Sequence, residues 1–282
     1  RFRPNIVVGG VGDPHAEAQY LIGRFHIDDI SHDPSGPFDS FVLVDASDMA
    51  GMPEIIRIED VTEVIDHREC HKAHELFPKA KIQIEKVGAA ATQIAERYQE
   101  VNVPIDRNSA LLLYGAIHSN TLNLKATVTT QRDRNAIEWL QKQTQIPHDL
   151  IHDMFVAKTE AASRSIKKIL WGDWKEFLLN SKRIGIAQLE VIELDNLVKD
   201  HLEEILNTLD NLKYRCNLQF AFLMAVDLEH GFSLFVTSDA NAQLLLCKTL
   251  GVEFKNNLAK RKGLLLRKEL VPLIFTKKDS LK

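Results

Sequence analysis

Short apolar runs alternate with helical segments along the first half of the chain. Phe41–Val44 and Val61–Ile65 are rich in branched side chains, as buried strands of a parallel sheet are, and each is followed directly by an aspartate. The segments 15–24, 89–98 and 109–120 are typical of helices. This alternation predicts an α/β fold, in which a mainly parallel sheet is flanked by helices.

The second half of the chain has its own pattern of strands and helices. Residues 184–191 alternate in polarity like a strand, and 195–216 form one long amphipathic helix. Two further strands are predicted at 220–226 and 232–237, with Gly231 in the turn of a hairpin. We therefore expect a second, smaller α/β domain.

The length of 282 residues favours two domains over one. The stretch Thr159–Ser163 is polar and made of small residues, which favours a linker. We predict a first domain over 1–158, a linker over 159–163 and a second domain over 164–282.

Composition limits the classes of partner. The chain has 35 basic and 39 acidic residues, a net charge of −4, which does not favour a nucleic acid duplex. Its cysteines, Cys70, Cys216 and Cys247, are odd in number and lack the CxxC spacing, so we expect a reducing, cytoplasmic setting. No run of about eighteen apolar residues predicts a membrane span. Small phosphorylated ligands and a homodimer stay open.

The strand ends carry potential metal ligands. Asp45 follows one predicted strand, and Asp66 and His67 end the next. Ligands bind at the carboxyl ends of strands in open α/β sheets, and Mn²⁺ or Mg²⁺ accepts carboxylate together with imidazole. The same three residues could instead cap turns and form hydrogen bonds, and their spacing alone does not decide between the two interpretations.

Three more histidines lie near these positions. His71 and His74 do not match a structural zinc pattern, so we expect solvated loop histidines. His118 lies at a predicted helix end, where it could support the metal ligands from behind.

Basic residues in the second half are candidates for binding phosphate. Arg267 and Lys268 follow Leu264–Leu266, which we predict to be a strand, and could present a guanidinium and an ammonium group to phosphate oxygens. A solvated basic patch is the alternative interpretation. For Lys175, the sequence by itself does not decide between these two interpretations.

Taken in order, these segments resemble the DHH phosphoesterase superfamily and, within it, the manganese-dependent family II inorganic pyrophosphatases. The resemblance covers nearly the whole chain, including two basic motifs of the C-terminal substrate domain. The motifs that carry it are Leu43-Val44-Asp45, Val64-Ile65-Asp66-His67-Arg68, Val87–Thr92, Gly115–Thr121, Asp173–Phe177 and Leu266–Pro272.

The resemblance implies roles for the residues of the first domain. Asp45 would bridge two metal ions, His67 would bind one of them, and Asn120 stands where the family has an aspartate ligand. Asp66 and Arg68 would act in catalysis, with Arg68 as a permanently charged donor to a phosphate.

The resemblance also implies the reaction. Lys175, Arg267 and Lys268 would hold the phosphates of inorganic pyrophosphate in a cleft between the two domains, and a metal-activated water would attack phosphorus. The cofactor would be Mn²⁺ or Mg²⁺, as two ions when the complete N-terminal motif is present.

Three departures from the family pattern keep alternatives open. The opening motif, with one His and two Asp ligands, would lie before Asn5, so the chain is expected to be truncated at its start. Asn120 replaces an aspartate, and Arg68 replaces the second histidine of the signature, as in prune-type exopolyphosphatases. The alternatives are an exopolyphosphatase, a nucleotide phosphodiesterase, or a lapsed enzyme that binds a phosphorylated ligand.

Overall fold

The computed structural model divides the chain into two compact units, Arg1–Met154 and Phe155–Lys282. The residues that it describes are 6–10, 12–27, 30–32, 34–49, 51–67, 72–179 and 181–276.

The first unit is an α/β structure, as the sequence predicts. Its strands β3, β4 and β5 pair in parallel in that order, and β1 pairs in parallel with β2. The strands are β1 Val8–Gly10, β2 Ile30–His32, β3 Phe41–Val44, β4 Val61–Asp66 and β5 Lys81–Ile84. The helices are α1 Ala16–Phe25, α2 Ala73–Leu76, α3 Ala90–Glu100, α4 Arg107–Asn120 and α5 Gln131–Gln143, and Ile58–Asp60 form a short 3₁₀ helix.

The central strand of the three-stranded sheet, β4, is the most buried of its three strands. Val61 and Val64 pack with Leu43 of β3 and with Phe77, and all four side chains are less than a tenth exposed. The end of this strand, Val64–Asp66, is continuously buried, as in strands that are covered on both faces, whereas Thr62 is exposed. The sheet is therefore a rigid base for the residues at its carboxyl end.

The second unit is built on a mixed five-stranded sheet in the order β10-β9-β8-β7-β6. The pair β7–β8 is parallel and the other three pairs are antiparallel. The strands are β6 Trp174–Leu179, β7 Lys182–Val191, β8 Phe220–Asp227, β9 Phe232–Val236 and β10 Leu258–Lys262, and the helices are α7 Ile166–Gly172, α8 Leu194–Arg215, α9 Ala240–Leu250 and α10 Arg267–Thr276. Gly231, at a left-handed φ of 71°, lies in the β8–β9 hairpin as predicted.

The predicted linker over 159–163 is helical in the structure. These residues belong to α6, Leu150–Arg164, and the compact units divide earlier, between Met154 and Phe155. Alanine is the strongest helix former, and Ala162 is 2% exposed in the core of the second unit. The small residues of this stretch therefore allow close packing of a helix.

The prediction of a strand at Leu264–Leu266 is wrong. The strand is β10, which pairs with β9 and ends at Lys262, and helix α10 begins at Arg267. Leu265 and Leu266 are buried in the connection between the two, which explains their apolar character. Strand β6 and helices α9 and α10 were not predicted. In the part of the chain that the structure describes, no helix has the length and apolar character needed to cross a bilayer.

Candidate metal centre

Asp45, Asp66 and His67 come together at the carboxyl ends of β3 and β4. One ligand atom from each lies within 4.8 Å of the others. Asp66 is fully buried, His67 is partly buried, and the Asp45 side chain is 52% exposed. The predicted grouping of these three side chains is therefore present, with one open side at Asp45.

The backbone fixes the directions of the two carboxylates. In the parallel register Val44 lies opposite Ile65, and the Asp45 N–H donates to the carbonyl oxygen of Ile65 at 2.8 Å. Asp45 has a left-handed φ of 60°, which is uncommon for a residue with a side chain but is tolerated by aspartate. Strand β3 thus ends abruptly, in a turn that brings Asp45 beside the end of β4.

Asp66 is held by its neighbours on the sheet and on α3. Its carboxylate accepts the His67 N–H at 2.6 Å. Its backbone carbonyl accepts the N–H of Glu85 at 3.2 Å and the side-chain amide of Gln93 at 2.7 Å. A fully buried carboxylate fixed in this way has a position defined before any ligand arrives.

The His67 ring lies between a backbone carbonyl and a carboxylate. Its Nδ1 is 3.3 Å from the carbonyl oxygen of Val87, and its Nε2 is 3.4 Å from Oδ1 of Asp45. A carbonyl oxygen can only accept, so Nδ1 carries the hydrogen in this contact. The hydrogen bond with Asp45 raises the pKa of His67 above its usual value, in spite of partial burial. A neutral His67 would direct the Nε2 lone pair at the Asp45 carboxylate. A proton or a metal cation between these two atoms would remove the repulsion.

The Val87 carbonyl is itself held in place by a buried carboxylate. Asp133 is fully buried and accepts the Gly88 N–H through both oxygens, at 3.0 and 2.9 Å, and the Thr92 hydroxyl at 2.6 Å. It also closes a capping box with Thr130 at the start of α5. The spacing of Thr130 and Asp133 is a capping signal in the sequence, whereas the contact with Gly88 has no local signal.

A further predicted site residue of the first unit, Asn120, has a hydrogen-bond partner within its own helix. Asn120 is exposed at the end of α4, and its side-chain nitrogen donates to the carbonyl of Ala116 in the same helix. Arg68 and His71 lie outside the described residues. His74, expected to be solvated, is exposed on α2.

His118 is buried inside the first unit. Its Nδ1 is 2.8 Å from Oδ1 of Asn123, and its ring lies 4.6 Å from the ring of Tyr114. Burial lowers the pKa of His118 to about 4, so the imidazole is neutral at pH 7. A supporting role for His118 behind the metal ligands stays a prediction.

The basic residues of the second unit differ in exposure. Arg267 is 7% exposed, and its guanidinium donates to the carbonyl oxygens of Asp173 and Ile186, at 2.8 and 3.1 Å, and to the Asp173 carboxylate. Lys175 and Lys268 are exposed. The two lysines are thus accessible to a ligand, whereas the Arg267 guanidinium forms its hydrogen bonds within the second unit.

Comparison with known proteins supports the division of the chain into two compact units. A family model described as the DHHA2 domain matches residues 152–276. We refer to the matched part of the chain as the DHHA2 domain. Lys175, Arg267 and Lys268 all lie within it. The start of the match, two residues into α6, agrees with the division into compact units better than the predicted boundary does.

Curated relatives extend the similarity to nearly the whole chain. A manganese-dependent inorganic pyrophosphatase of Methanothrix thermoacetophila is 29% identical over 95% of this chain and 86% of its own length. The enzyme of that name from Bacillus subtilis is 26% identical over 94% of this chain and 86% of its own length. The resemblance drawn from the motifs is therefore confirmed for the DHHA2 domain and for the unit before it.

A solved structure shows the same fold. It comes from Methanococcus jannaschii, and its name places it with the family II inorganic pyrophosphatases. It matches with a TM-score of 0.64 and 21% identity, over 95% of this chain and 89% of its own. The predicted architecture, a parallel α/β unit followed by a smaller α/β domain, is confirmed.

Proposed function

We propose that this protein hydrolyses a phosphoanhydride, inorganic pyrophosphate to two phosphates, with Mn²⁺ as its cofactor. The proposal is supported by curated relatives named manganese-dependent inorganic pyrophosphatases, which align with at least 94% of this chain. It is also supported by the cluster of Asp45, Asp66 and His67. Hydrolysis of polyphosphate from its end, or of a dinucleotide, would use the same chemistry on a longer substrate.

The arrangement of His67 is the observation that carries the proposal. The contact of Nδ1 with the Val87 carbonyl directs Nε2 toward the carboxylate of Asp45, with Asp66 within 4.8 Å. Two carboxylates and one imidazole are a suitable ligand set for Mn²⁺, and Mg²⁺ accepts the same oxygens. The residues present therefore fit a divalent cation.

Each residue would have a distinct part in the reaction. A bound divalent cation lowers the pKa of a water molecule and neutralises charge on phosphoryl oxygens. The buried Asp66 would hold the cation in place, while the exposed Asp45 would lie on the side from which a substrate comes. Asn120, through its amide oxygen, would complete the ligands, and Arg68 would donate to a phosphate.

The exposed lysines of the DHHA2 domain are the proposed phosphate ligands. Lys175 and Lys268 each offer an ammonium group at the surface. Arg267 would act indirectly, because its contacts with Asp173 and Ile186 fix the start of α10 and with it the neighbouring Lys268.

A phosphate-release assay tests the proposal. We expect Mn²⁺-dependent release of phosphate from pyrophosphate, which Asp66→Asn abolishes and His74→Ala leaves unchanged, since His74 is exposed and outside the cluster. Tripolyphosphate and a dinucleotide serve as competing substrates. If none of the three substrates gives metal-dependent phosphate release, the proposal fails.

A phosphate-ligand binding protein without turnover is the second candidate. Within the described ranges, the side chains of His, Cys, Asp and Glu form a single group that could hold a metal ion. Pyrophosphate hydrolysis of the kind that the resemblance implies would use two ions. Calorimetry that shows Mn²⁺-dependent pyrophosphate binding, together with no phosphate release, would support this candidate over the hydrolase.

We further propose a cytoplasmic location and a homodimer. The location is supported by Cys216 and Cys247, which are free thiols in the structure. Light scattering would test the homodimer, which requires twice the chain mass of 32.0 kDa.

A further inference from the structure

The DHHA2 domain carries a groove between α7 and α8, in which basic side chains surround a tryptophan. The groove has a volume of about 530 Å³. It is lined by Ser165, Lys167, Lys168, Trp171, Asn211 and Arg215. None of these residues belongs to the proposed metal site or to its proposed phosphate ligands.

Helix α7 presents its polar face to this groove. Ile166 and Leu170, one turn apart, are fully buried in the core of the DHHA2 domain. Lys167 and Lys168 are exposed, and the Trp171 ring is 38% exposed. The exposed part of the Trp171 ring offers an aromatic surface beside the two lysines.

Helix α8 forms the other wall in the same way. Its residues Leu209 and Leu212 are buried in the DHHA2 domain. Asn211 and Arg215, one turn apart, are exposed on the groove side. Arg215 places its guanidinium carbon 5.6 Å from the centre of the Trp171 ring, so the two walls meet at this pair.

The three basic residues form a local excess of positive charge. Over the ranges that the structure covers, Lys167, Lys168 and Arg215 make no ion pair with an acidic side chain. The chain as a whole has a net charge of −4, so this patch differs in sign from the chain as a whole. Lysine and arginine without acidic partners are suited to bind phosphate groups.

A second groove adjoins the first and is acidic. It shares Lys167 and Asn211 with the first groove and has a volume of about 490 Å³. Its lining includes Asp200, Glu203 and Glu204. These carboxylates repel phosphate, so an anionic ligand would be confined to the end with Lys168 and Arg215.

We infer that the α7–α8 groove binds a nucleotide, with its base on the Trp171 ring and its phosphates on Lys168 and Arg215. Nucleobases stack on exposed tryptophan, and Ser165 and Asn211 add hydrogen-bonding groups at the edge. The volume lies within the range of about 300–1,000 Å³ that is typical of small-molecule sites. A ligand with both phosphates and an aromatic base uses every feature of this groove.

Calorimetric titration of the full chain with ADP and with pyrophosphate, in EDTA, tests the inference. EDTA removes divalent cations, so the proposed metal site does not contribute to binding. We expect Lys168→Glu to weaken ADP binding at least about tenfold, the lower limit for a hydrogen bond to a charged group. Trp171→Leu should weaken ADP binding at least about fivefold, the lower limit for base–aromatic stacking, and leave pyrophosphate binding unchanged.

The matched control is Lys142→Glu, which changes the same charge on the exposed surface of α5. Circular dichroism checks that each variant is folded, and Trp171→Phe, which keeps an aromatic ring, should retain ADP binding. The inference is overturned if ADP does not bind, or if Lys168→Glu and Lys142→Glu weaken binding equally. It is also overturned if Trp171→Leu has no effect on ADP, because the site would then take any anion.

Discussion

The carboxylate of Asp133 accepts the backbone N–H of Gly88 through both of its oxygens, at 3.0 and 2.9 Å. Gly88 follows Val87, whose carbonyl oxygen contacts Nδ1 of His67. A buried aspartate on α5 therefore determines the position of the loop that orients His67, a candidate metal ligand directly after β4.

Asp133→Asn tests this arrangement. The carboxylate has donors on both oxygens, from Gly88, Thr92 and Thr130. An asparagine would turn an NH₂ group toward one of these donors. We expect a loss of about 3 kcal/mol in the free energy of unfolding, measured with urea.

The control for this variant is Asp106→Asn at the exposed N-cap of α4. Asparagine caps a helix as well as aspartate does, so the change should stay within about 0.5 kcal/mol. Equal stabilities for Asp133→Asn and Asp106→Asn would show that the buried hydrogen bonds do not hold the loop.

Gly88→Ala should also destabilise the fold. A Cβ at this position would lie 2.5 Å from Cγ2 of Thr121 and 2.9 Å from Oδ2 of Asp133. Overpacking of this kind costs about 1–3 kcal/mol. Gly23→Ala is the control, because a Cβ in the exposed interior of α1 meets nothing within 4 Å and should stabilise the helix by about 0.5–1 kcal/mol. A thermal melt that ranks the two variants in the opposite order contradicts this account.

Glu63 makes part of the stability dependent on pH. A hydrogen bond from Arg97 holds the pKa of Glu63 below its ordinary value of 4.5. A carboxyl group with a lowered pKa in the folded state stabilises the protein above its unfolded pKa, and this contribution is lost as the pH falls through the folded pKa.

Glu63→Gln should therefore destabilise the protein by about 1 kcal/mol at pH 7. The difference from the unmodified chain should shrink as the pH falls below 4.5, the ordinary pKa, and through the lowered pKa of Glu63 in the folded state. Glu59→Gln, at an exposed position, should show no such dependence on pH. A difference for Glu63→Gln that stays constant from pH 7 to acid would rule out the ion pair as its source.

Substitutions of Arg267 and Lys268 should have different effects, the first on stability and the second on substrate binding. Arg267→Met removes a buried guanidinium and leaves the Ile186 carbonyl without this donor, so we expect a loss of about 3 kcal/mol in stability. Lys268→Met should change stability by less than about 0.5 kcal/mol and should raise the KM for pyrophosphate. The assignment fails if Lys268→Met destabilises the fold as much as Arg267→Met does.

Local patterns were sufficient to predict that Asp45, Asp66 and His67 lie close together. Asp45 and Asp66 directly follow apolar runs, and parallel strands end at a common edge, so their proximity follows from two strand predictions. The hairpin at Gly231 was equally local. The stretch 159–163 has the composition of a linker but forms part of a helix, in which Ala162 is buried. Composition alone does not reveal this burial.

Contacts between distant parts of the chain could not be predicted. Asp133 reaches Gly88 across 45 positions, and Arg267 reaches Asp173 across 94. Arg267 has the sequence character of a phosphate ligand, but its neighbours in the fold are carbonyl oxygens and a carboxylate. The environment of a charged side chain depends on such tertiary contacts.

The most direct test of the central claim is a calorimetric titration of the protein with Mn²⁺. The account predicts binding that Asp66→Asn and His67→Ala each weaken at least about tenfold, while His74→Ala, outside the cluster, leaves the affinity unchanged. Absence of Mn²⁺ binding, or equal affinity in all four proteins, would contradict the metal centre at the ends of β3 and β4.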